Sequence, residues 1–410
     1  MDSKNRILSV LNDLPPDHIP LTTWCFGFQA DPSLRWARQG IERSFWYSLR
    51  MEHIHNLPQV WDLEDDFRRV LAWQSLGIDD LLDVSVPWSC DPDVTWEDTR
   101  ISAGEENDHP LASRLYHTPN GSLRHTVRLT GEVTAPGWVV QPENVPLFED
   151  YNIPRGVTHL VTHPEDVRPI HHLYAPPDAA AQKWFRQRMT EIREFTVEHP
   201  VAVQAWSAFG MDGVVWLTGV QNALLLAMDA PEAFHELVET VFQADIARTE
   251  LALSDPGIDI IVQRGWYSST DFWSPRLFDK YVFPYLAELA ALTHRHGRKI
   301  AYVMTTGVHK LGLRLADAGV DLLYFADPVQ DRIDLTWAKE QLSPRMTLAG
   351  GINALTLATC DRERIRREAQ TAVEILGSSN RFILHPLDAI FPDTPWEGMK
   401  MLIETWKELI

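Results

Sequence analysis

From residue 200 onward, short apolar runs alternate with long stretches of helical periodicity, and this alternation limits the possible folds more than any other feature of the sequence. The runs at 201–205, 258–262, 299–303, 321–325, 346–348 and 382–384 are dominated by Val, Ile, Leu, Ala and Phe, without strict apolar-polar alternation. Strands buried on both faces read this way, and they belong to parallel sheets covered by helices. Between the runs, Phe234, Leu237, Val238 and Val241 recur at helical spacing, as do Ile365, Ala369, Ala372 and Leu376. Asp229 and Asp361 fit as N-caps of these two helices, with Pro231 in a first turn and Gly377 as a stop. Two further runs, 19–24 and 80–88, bring the strand count to eight, the number at which a βα repeat closes into a (β/α)8 TIM barrel. The expected class is therefore α/β, a barrel with an N-terminal helical elaboration and a β-hairpin insertion.

The elaboration begins with a helix at 3–12, capped by Ser3, and includes a clearer one at 63–76 with Phe67, Val70, Leu71 and Trp73 on one stripe and Gly77 as its stop. The insertion spans about 94–130. There the pattern turns to β alternation around a turn signal at residues 118–121, Thr-Pro-Asn-Gly. Helical segments at 164–173 and 178–199 lead back to the regular half. A chain of 410 residues, 45% of them hydrophobic, can bury one large core, so 1–410 reads as a single domain. A net charge of −20 without a basic cluster repels phosphates and argues against nucleic acid or an anionic membrane as partner. No apolar run reaches the ~18 residues of a span, and Cys25, Cys90 and Cys360 lack metal or disulfide spacing. The expectation is a cytoplasmic protein acting on a small molecule.

The C-terminal stretch 381–397, RFILHPLDAIFPDTPWE, reads as strand, loop and helix start, with Thr394, Pro395 and Glu397 as a capping box. It resembles the pattern near the C-terminus of the uroporphyrinogen decarboxylase superfamily, which includes cobamide-dependent methyltransferases. Further matches run through 266–275 (WYSSTDFWSP), Phe283-Pro-Tyr285, His296-Gly297, 304–307 (MTTG) and 349–353 (AGGIN). The insertion hairpin is similar to one in methyltransferase-like members. The resemblance spans residue 200 to the end and, more loosely, the whole chain.

What the resemblance implies about the site is mostly departure. The two arginines with which the decarboxylases hold the substrate's acidic side chains fall on Cys25 and Gln29, and their catalytic Asp falls near Val86, with Asp83 close by. The zinc-binding His-x-Cys of the methyltransferases falls on Met304 and Thr306, and the third ligand, Cys, falls on Asp388. Zinc in that form is not supported by the ligand pattern. Asp388 also aligns with the active-site His of the decarboxylases, so both branches put a functional side chain there.

Asp388 and His385, three residues apart at the end of the last strand, are the candidate catalytic residues, as an acid-base pair or as ligands of a divalent metal. Each also has a plain structural reading, Asp388 as a loop acceptor and His385 as a satisfied core residue. Ser268, Tyr267, Trp216, Trp266, Asp327 and Gln29 are the candidate substrate-binding residues. Trp206, Trp216, Trp266 and Trp273 crowd two consecutive strand ends, and each indole N–H needs a partner, which suggests a pocket for a flat or apolar ligand. Three functions remain open: transfer of a methyl group from a small methylated substrate, aromatic ones among the candidates, to a corrinoid on a partner protein; decarboxylation or a related lyase step on a small acid other than uroporphyrinogen; and a catalytically silent binding subunit.

Overall fold

The computed structural model describes residues 1–25, 28, 31, 34, 63–104, 108–130, 145, 147, 148, 150, 152–391 and 393–410. Its centre is a parallel sheet of seven strands: β1 Leu81–Ser85, β6 Ala202–Ala208, β7 Ile260–Gln263, β8 Lys299–Val303, β9 Leu322–Ala326, β10 Thr347–Asn353 and β11 Phe382–Leu387. They pair in that order, each successive pair joined through at least one helix. Strands β7, β9, β10 and β11 are buried at every position, as the unbroken apolar runs require.

The sheet is curled. Tyr324 on β9 donates its hydroxyl to Gln204 Oε1 on β6 at 3.0 Å, although two strands separate them in the ladder. Side chains so far apart in a flat sheet stand side by side, not tip to tip, so this bond crosses a rolled interior. The helix Ser3–Leu11 plugs the end where the strands begin. Its Ile7, Val10 and Leu11 share a core with Leu81, Ala202, Ile260, Ala301, Leu322 and Ile383, and Thr347 Oγ1 donates to the Val10 carbonyl at 2.8 Å.

The expected first strand, 19–24, is reduced to single bridges. Leu21 pairs with Leu384 and Cys25 with Ile390, both parallel, beside β11. Seven strands, not eight, therefore form the described sheet. The insertion is larger than a hairpin: β2 Thr95–Ile101, β3 Leu111–Thr118, β4 Gly121–Arg128 and β5 Gly156–Thr158 form a four-stranded antiparallel sheet, with the expected turn between β3 and β4. The segment 164–173 is a 3-10 turn, Pro164–Asp166, followed by the short helix Ile170–Leu173, because Pro169 interrupts it.

Several caps fall elsewhere than expected. Asp2, not Ser3, accepts the Asn5 N–H. Asp229 ends the helix Met211–Asp229, and the next, Pro231–Leu253, is entered through Ala230. Pro395 is the N-cap of Trp396–Leu409, while Thr394 Oγ1 turns back to accept the Phe391 N–H at 3.1 Å. Asp361 caps as expected, and Ser274 caps the helix Pro275–Tyr281. The helix Met211–Asp229 is long and apolar enough to cross a bilayer, but 67% of its apolar window lies inside the core, which accounts for its composition.

Candidate active site

The carboxyl ends of the strands carry the chemistry-bearing side chains. β7 ends at Gln263, and Arg264 and Gly265 lead into the tight turn Trp266–Ser268. Glycine is required at 265, since a Cβ there would lie 2.5 Å from the Val303 carbonyl oxygen and from the Tyr302 ring. The turn aims the Trp266 indole across the mouth, where Nε1 donates to Asp388 Oδ2 at 3.2 Å. Asp388 follows β11 directly and is half-buried. Its Oδ1 has no hydrogen-bond partner among the described residues. Burial pushes its pKa up to about 6, against the opposing pull of the Trp266 bond.

A second carboxylate is held in the same manner. Trp206 Nε1 donates to Asp83 Oδ1 at 2.7 Å, and Gln204 Nε2 donates to the same atom at 2.6 Å. The Trp206 and Trp266 rings stack, 6.0 Å apart and 19° from parallel. Two half-buried indoles thus form a platform with a carboxylate at either end. Beneath it Trp24 fills the interior, its ring 4.3 Å from Tyr324 and 5.3 Å from each of Trp206, Phe325 and His385. Trp24 Nε1 has no partner among the described residues.

His385 lies one layer deeper than Asp388. It is fully buried, and its Nδ1 shares a 2.8 Å hydrogen bond with Thr22 Oγ1, while Nε2 has no partner among the described residues. Burial lowers its pKa to about 3, so the ring is neutral at physiological pH. The two expected partners therefore stand at different depths, and no hydrogen bond joins them.

Sequence reasoning missed the residue that organises one wall, Arg264. Its guanidinium lies 4.6 Å from the Trp216 ring and 4.4 Å from the Trp266 ring. Nε donates to Asp212 Oδ2 at 3.3 Å and an Nη donates to Asp150 Oδ2 at 3.1 Å. Asp150 also accepts the Trp216 Nε1–H at 2.7 Å and bonds the Tyr267 hydroxyl; Asp212 accepts the Tyr267 backbone N–H at 2.8 Å. Burial raises the Asp212 pKa to about 7, with Arg264 pulling the other way. The only signal in the sequence was a lone arginine directly after an apolar strand. Asp150 and Asp212 lie far from it in sequence.

Of the other candidates, Tyr267 and Trp266 line the mouth. Trp216 sits in the helix Met211–Asp229 rather than at a strand end, and its fully buried ring supports Arg264 from behind. Ser268 is fully buried between the Gly265 carbonyl, at 2.8 Å, and the Tyr302 hydroxyl, at 2.5 Å. Asp327 is committed to its own loop: Oδ1 accepts the Val329 and Gln330 N–H groups and Oδ2 accepts from Asn353. Gln29 lies outside the described residues. Met304 is buried and Thr306 donates to Asp271, so neither replaces a zinc ligand. Among the described residues no three His, Cys, Asp or Glu side chains form a group able to hold a metal ion.

The arrangement offers a carboxyl group poised to give up a proton near neutral pH, aromatic walls, and an excess of carboxylates. Among the described residues, Asp150 and Asp212 both accept from the Arg264 guanidinium, Asp388 lies within its electrostatic reach, and Asp83 stands at the other end of the indole platform. Arg69, nearest to Asp83 at 3.7 Å, directs its shorter bonds to Asp66 and Asp80.

The family model described as uroporphyrinogen decarboxylase matches residues 148–409. In fold the chain is similar to a methyltransferase from Methanosarcina mazei, with a TM-score of 0.58 and 17% sequence identity, covering 100% of this chain and 99% of that one. A 3-keto-D-glucoside 4-epimerase, YcjR, from E. coli gives a TM-score of 0.33 at 11% identity over 62% of this chain and 95% of its own. No curated protein matches the sequence.

Proposed function

The chain belongs to the uroporphyrinogen decarboxylase family, and on that footing we propose that it is a methyl-transferring enzyme, moving a methyl group from a small methylated substrate to a corrinoid carried on a separate protein. We read it as one cytoplasmic domain whose rolled sheet is a (β/α)8 barrel, with residues 20–25 as the eighth stave; the bridges from Leu21 and Cys25 to the β11 edge support this. The observation that carries the function is Asp388: one oxygen anchored by Trp266, the other buried without a partner among the described residues, and a proton affinity raised by burial.

Methyl transfer from oxygen, nitrogen or sulfur leaves an electron pair on the heteroatom, and a proton delivered there makes it a better leaving group. The corrinoid supplies the electron pair that receives the methyl group as a cation equivalent. Asp388 gives its proton from Oδ1 to the departing heteroatom, and the Trp266 N–H then stabilises the carboxylate that remains. Trp206 and Trp266 offer a flat apolar face to the substrate and exclude water from the carboxyl group. No step is routed through a metal bound to this chain, because the residues at the zinc-ligand positions do not fit one.

Decarboxylation of a small acid is the competing reading, and the charge balance of the mouth disfavours it. An acidic substrate needs charge-assisted donors, and Arg264 is already shared by Asp150 and Asp212. The test is anaerobic incubation with cob(I)alamin and small methoxy, methylthio and N-methyl compounds, followed by visible absorbance. Turnover that falls about a hundredfold or more in Asp388→Asn supports the proposal. Carbon dioxide release from a small acid without methyl transfer moves the assignment to decarboxylation. Neither activity, with retained ligand binding, makes the chain a binding subunit.

A further inference from the structure

The insertion sheet carries two imidazoles that the barrel mouth does not use. On β4 the inward positions are Leu123, His125 and Val127, all buried. Alternation calls for an apolar side chain between Leu123 and Val127, yet the central place holds a histidine with 0% exposure and no hydrogen-bond partner at either ring nitrogen among the described residues. A buried polar atom without a partner is costly and points to an occupant. The ring of His159 stands 5.8 Å away between centroids, tilted by 42°, and its Nδ1 is also buried without a partner. Room for His159 comes from Gly219, where the helix Met211–Asp229 kinks (φ 68, ψ 160). A Cβ on Gly219 would come within 2.3 Å of His159 Nε2.

Two imidazoles that share one ion at about 2.0–2.1 Å per bond stand roughly 5 to 6.5 Å apart between centroids, from the tetrahedral to the linear arrangement. The observed spacing falls in that interval, and no hydrogen bond joins the rings directly. We propose that His125 on β4 and His159, directly after β5, form a two-imidazole site for a soft, low-coordinate metal monocation of the Cu(I) class, within the insertion sheet and packed against the kinked helix. The charge follows from the surroundings. The described residues supply no third His, Cys, Asp or Glu donor, so an ion that wants four ligands keeps two open positions. Arg114, opposite His125 in the β3–β4 ladder and paired with Asp98, adds positive charge nearby. A single charge loses less on burial than a double one, and imidazole is a suitable donor to copper. Both rings also meet the requirement that a ligating imidazole be neutral, since burial lowers the pKa of each, that of His125 to about 3.

The test is anaerobic titration of the full metal-free chain with Cu(I) buffered by a chromophoric chelator, alongside His159→Gln and His125→Gln. Cys25, Cys90 and Cys360 are present in all three proteins and cancel in the difference. The wild type is expected to take up one equivalent more than either variant, with two nitrogen ligands in the difference X-ray absorption spectrum. Its Tm should rise with Cu(I) and theirs should not. Should His125→Gln fail to fold, His159→Gln at the half-buried end carries the comparison. Equal uptake by all three proteins overturns the proposal and leaves a buried water as the occupant. Uptake of Zn(II) in preference to Cu(I) overturns the choice of ion.

Discussion

Trp266 Nε1 donates to Asp388 Oδ2 at 3.2 Å, while Oδ1 of the same carboxyl group meets no donor from the described protein. One oxygen is fixed and the other is buried without a partner among the described residues. The indole is in turn held by Arg264 against its face, and Arg264 by Asp150 and Asp212. Support of this kind keeps a proton carrier oriented without using up its second lone-pair set.

Asp388→Ala and Asp388→Asn should each lower turnover by about a hundredfold or more, the range of a lost general acid. Folding should be nearly unchanged by circular dichroism and Tm, because a half-buried loop residue with one hydrogen bond contributes little to the core. Asn is the sharper variant, since it keeps the size and the Trp266 contact. Near wild-type turnover in both would make Asp388 a loop-forming residue.

The rate should fall as pH rises through about 6, where burial has moved the Asp388 carboxyl, because only the protonated form donates. Above that value the loss approaches tenfold per pH unit. Arg264 draws the Asp388 pKa down, so Arg264→Gln should shift the falling limb to higher pH. The same change leaves Asp150 and Asp212 facing each other and should destabilise the fold by about 3 kcal/mol or more. A pH profile of kcat/KM with a denaturant melt at each point separates the two effects, and an unmoved limb counts against the coupling.

Much of the fold is legible in the sequence because burial on two faces leaves apolar runs, and seven of the eight expected strands appear close to where those runs lie. The eighth, 19–24, appears only as the single bridges of Leu21 and Cys25 beside β11, while the side chain of Thr22 holds His385 and that of Trp24 fills the interior. Two caps differ from expectation near prolines: Asp229 still belongs to the preceding helix, so that Ala230 and Pro231 enter the next, and Thr394 precedes Pro395, which is itself the N-cap. At the candidate site, the meeting of Trp266 and Asp388 is legible in their positions after strands. The clamp Asp150–Arg264–Asp212 could not, since its members are 114 and 52 residues apart in sequence and carry no local signature.

Histidine 385 should make the fold acid-sensitive. Its folded-state pKa, about 3, lies below the ordinary 6.5, so the unfolded chain binds the proton more readily across that window. Stability from the neutral ring is complete above about pH 6.5 and is lost on acidification, with a slope approaching about 1.4 kcal/mol per pH unit. Buried carboxyls such as Asp79 and Asp80, with pKa raised to about 6, work in the opposite direction. The comparison is therefore wild type against His385→Phe in denaturant melts between pH 7.5 and 4.5. The variant should show a shallower loss on acidification; identical slopes would mean that His385 does not stay neutral in the folded protein.

Uroporphyrinogen should not be a substrate. Its carboxylates need fixed cations, and the position aligned with one decarboxylase arginine holds Cys25, whose thiol is pushed up to about 12 by burial and so carries no charge at working pH. Gln29, at the other position, is neutral by composition. Each missing charge-assisted bond costs about 1.5–3 kcal/mol, so the pair amounts to roughly a hundredfold or more in binding. The described mouth makes matters worse, because the Arg264 guanidinium is shared between Asp150 and Asp212, while Asp388, once ionised, repels further negative charge. Lowering the pH toward 5 protonates Asp388 but leaves the missing cations missing, so turnover should stay absent across the whole range. Decarboxylation of uroporphyrinogen by the purified chain at any pH between 5 and 8, followed by product chromatography, would show that an anion clamp exists elsewhere on the molecule.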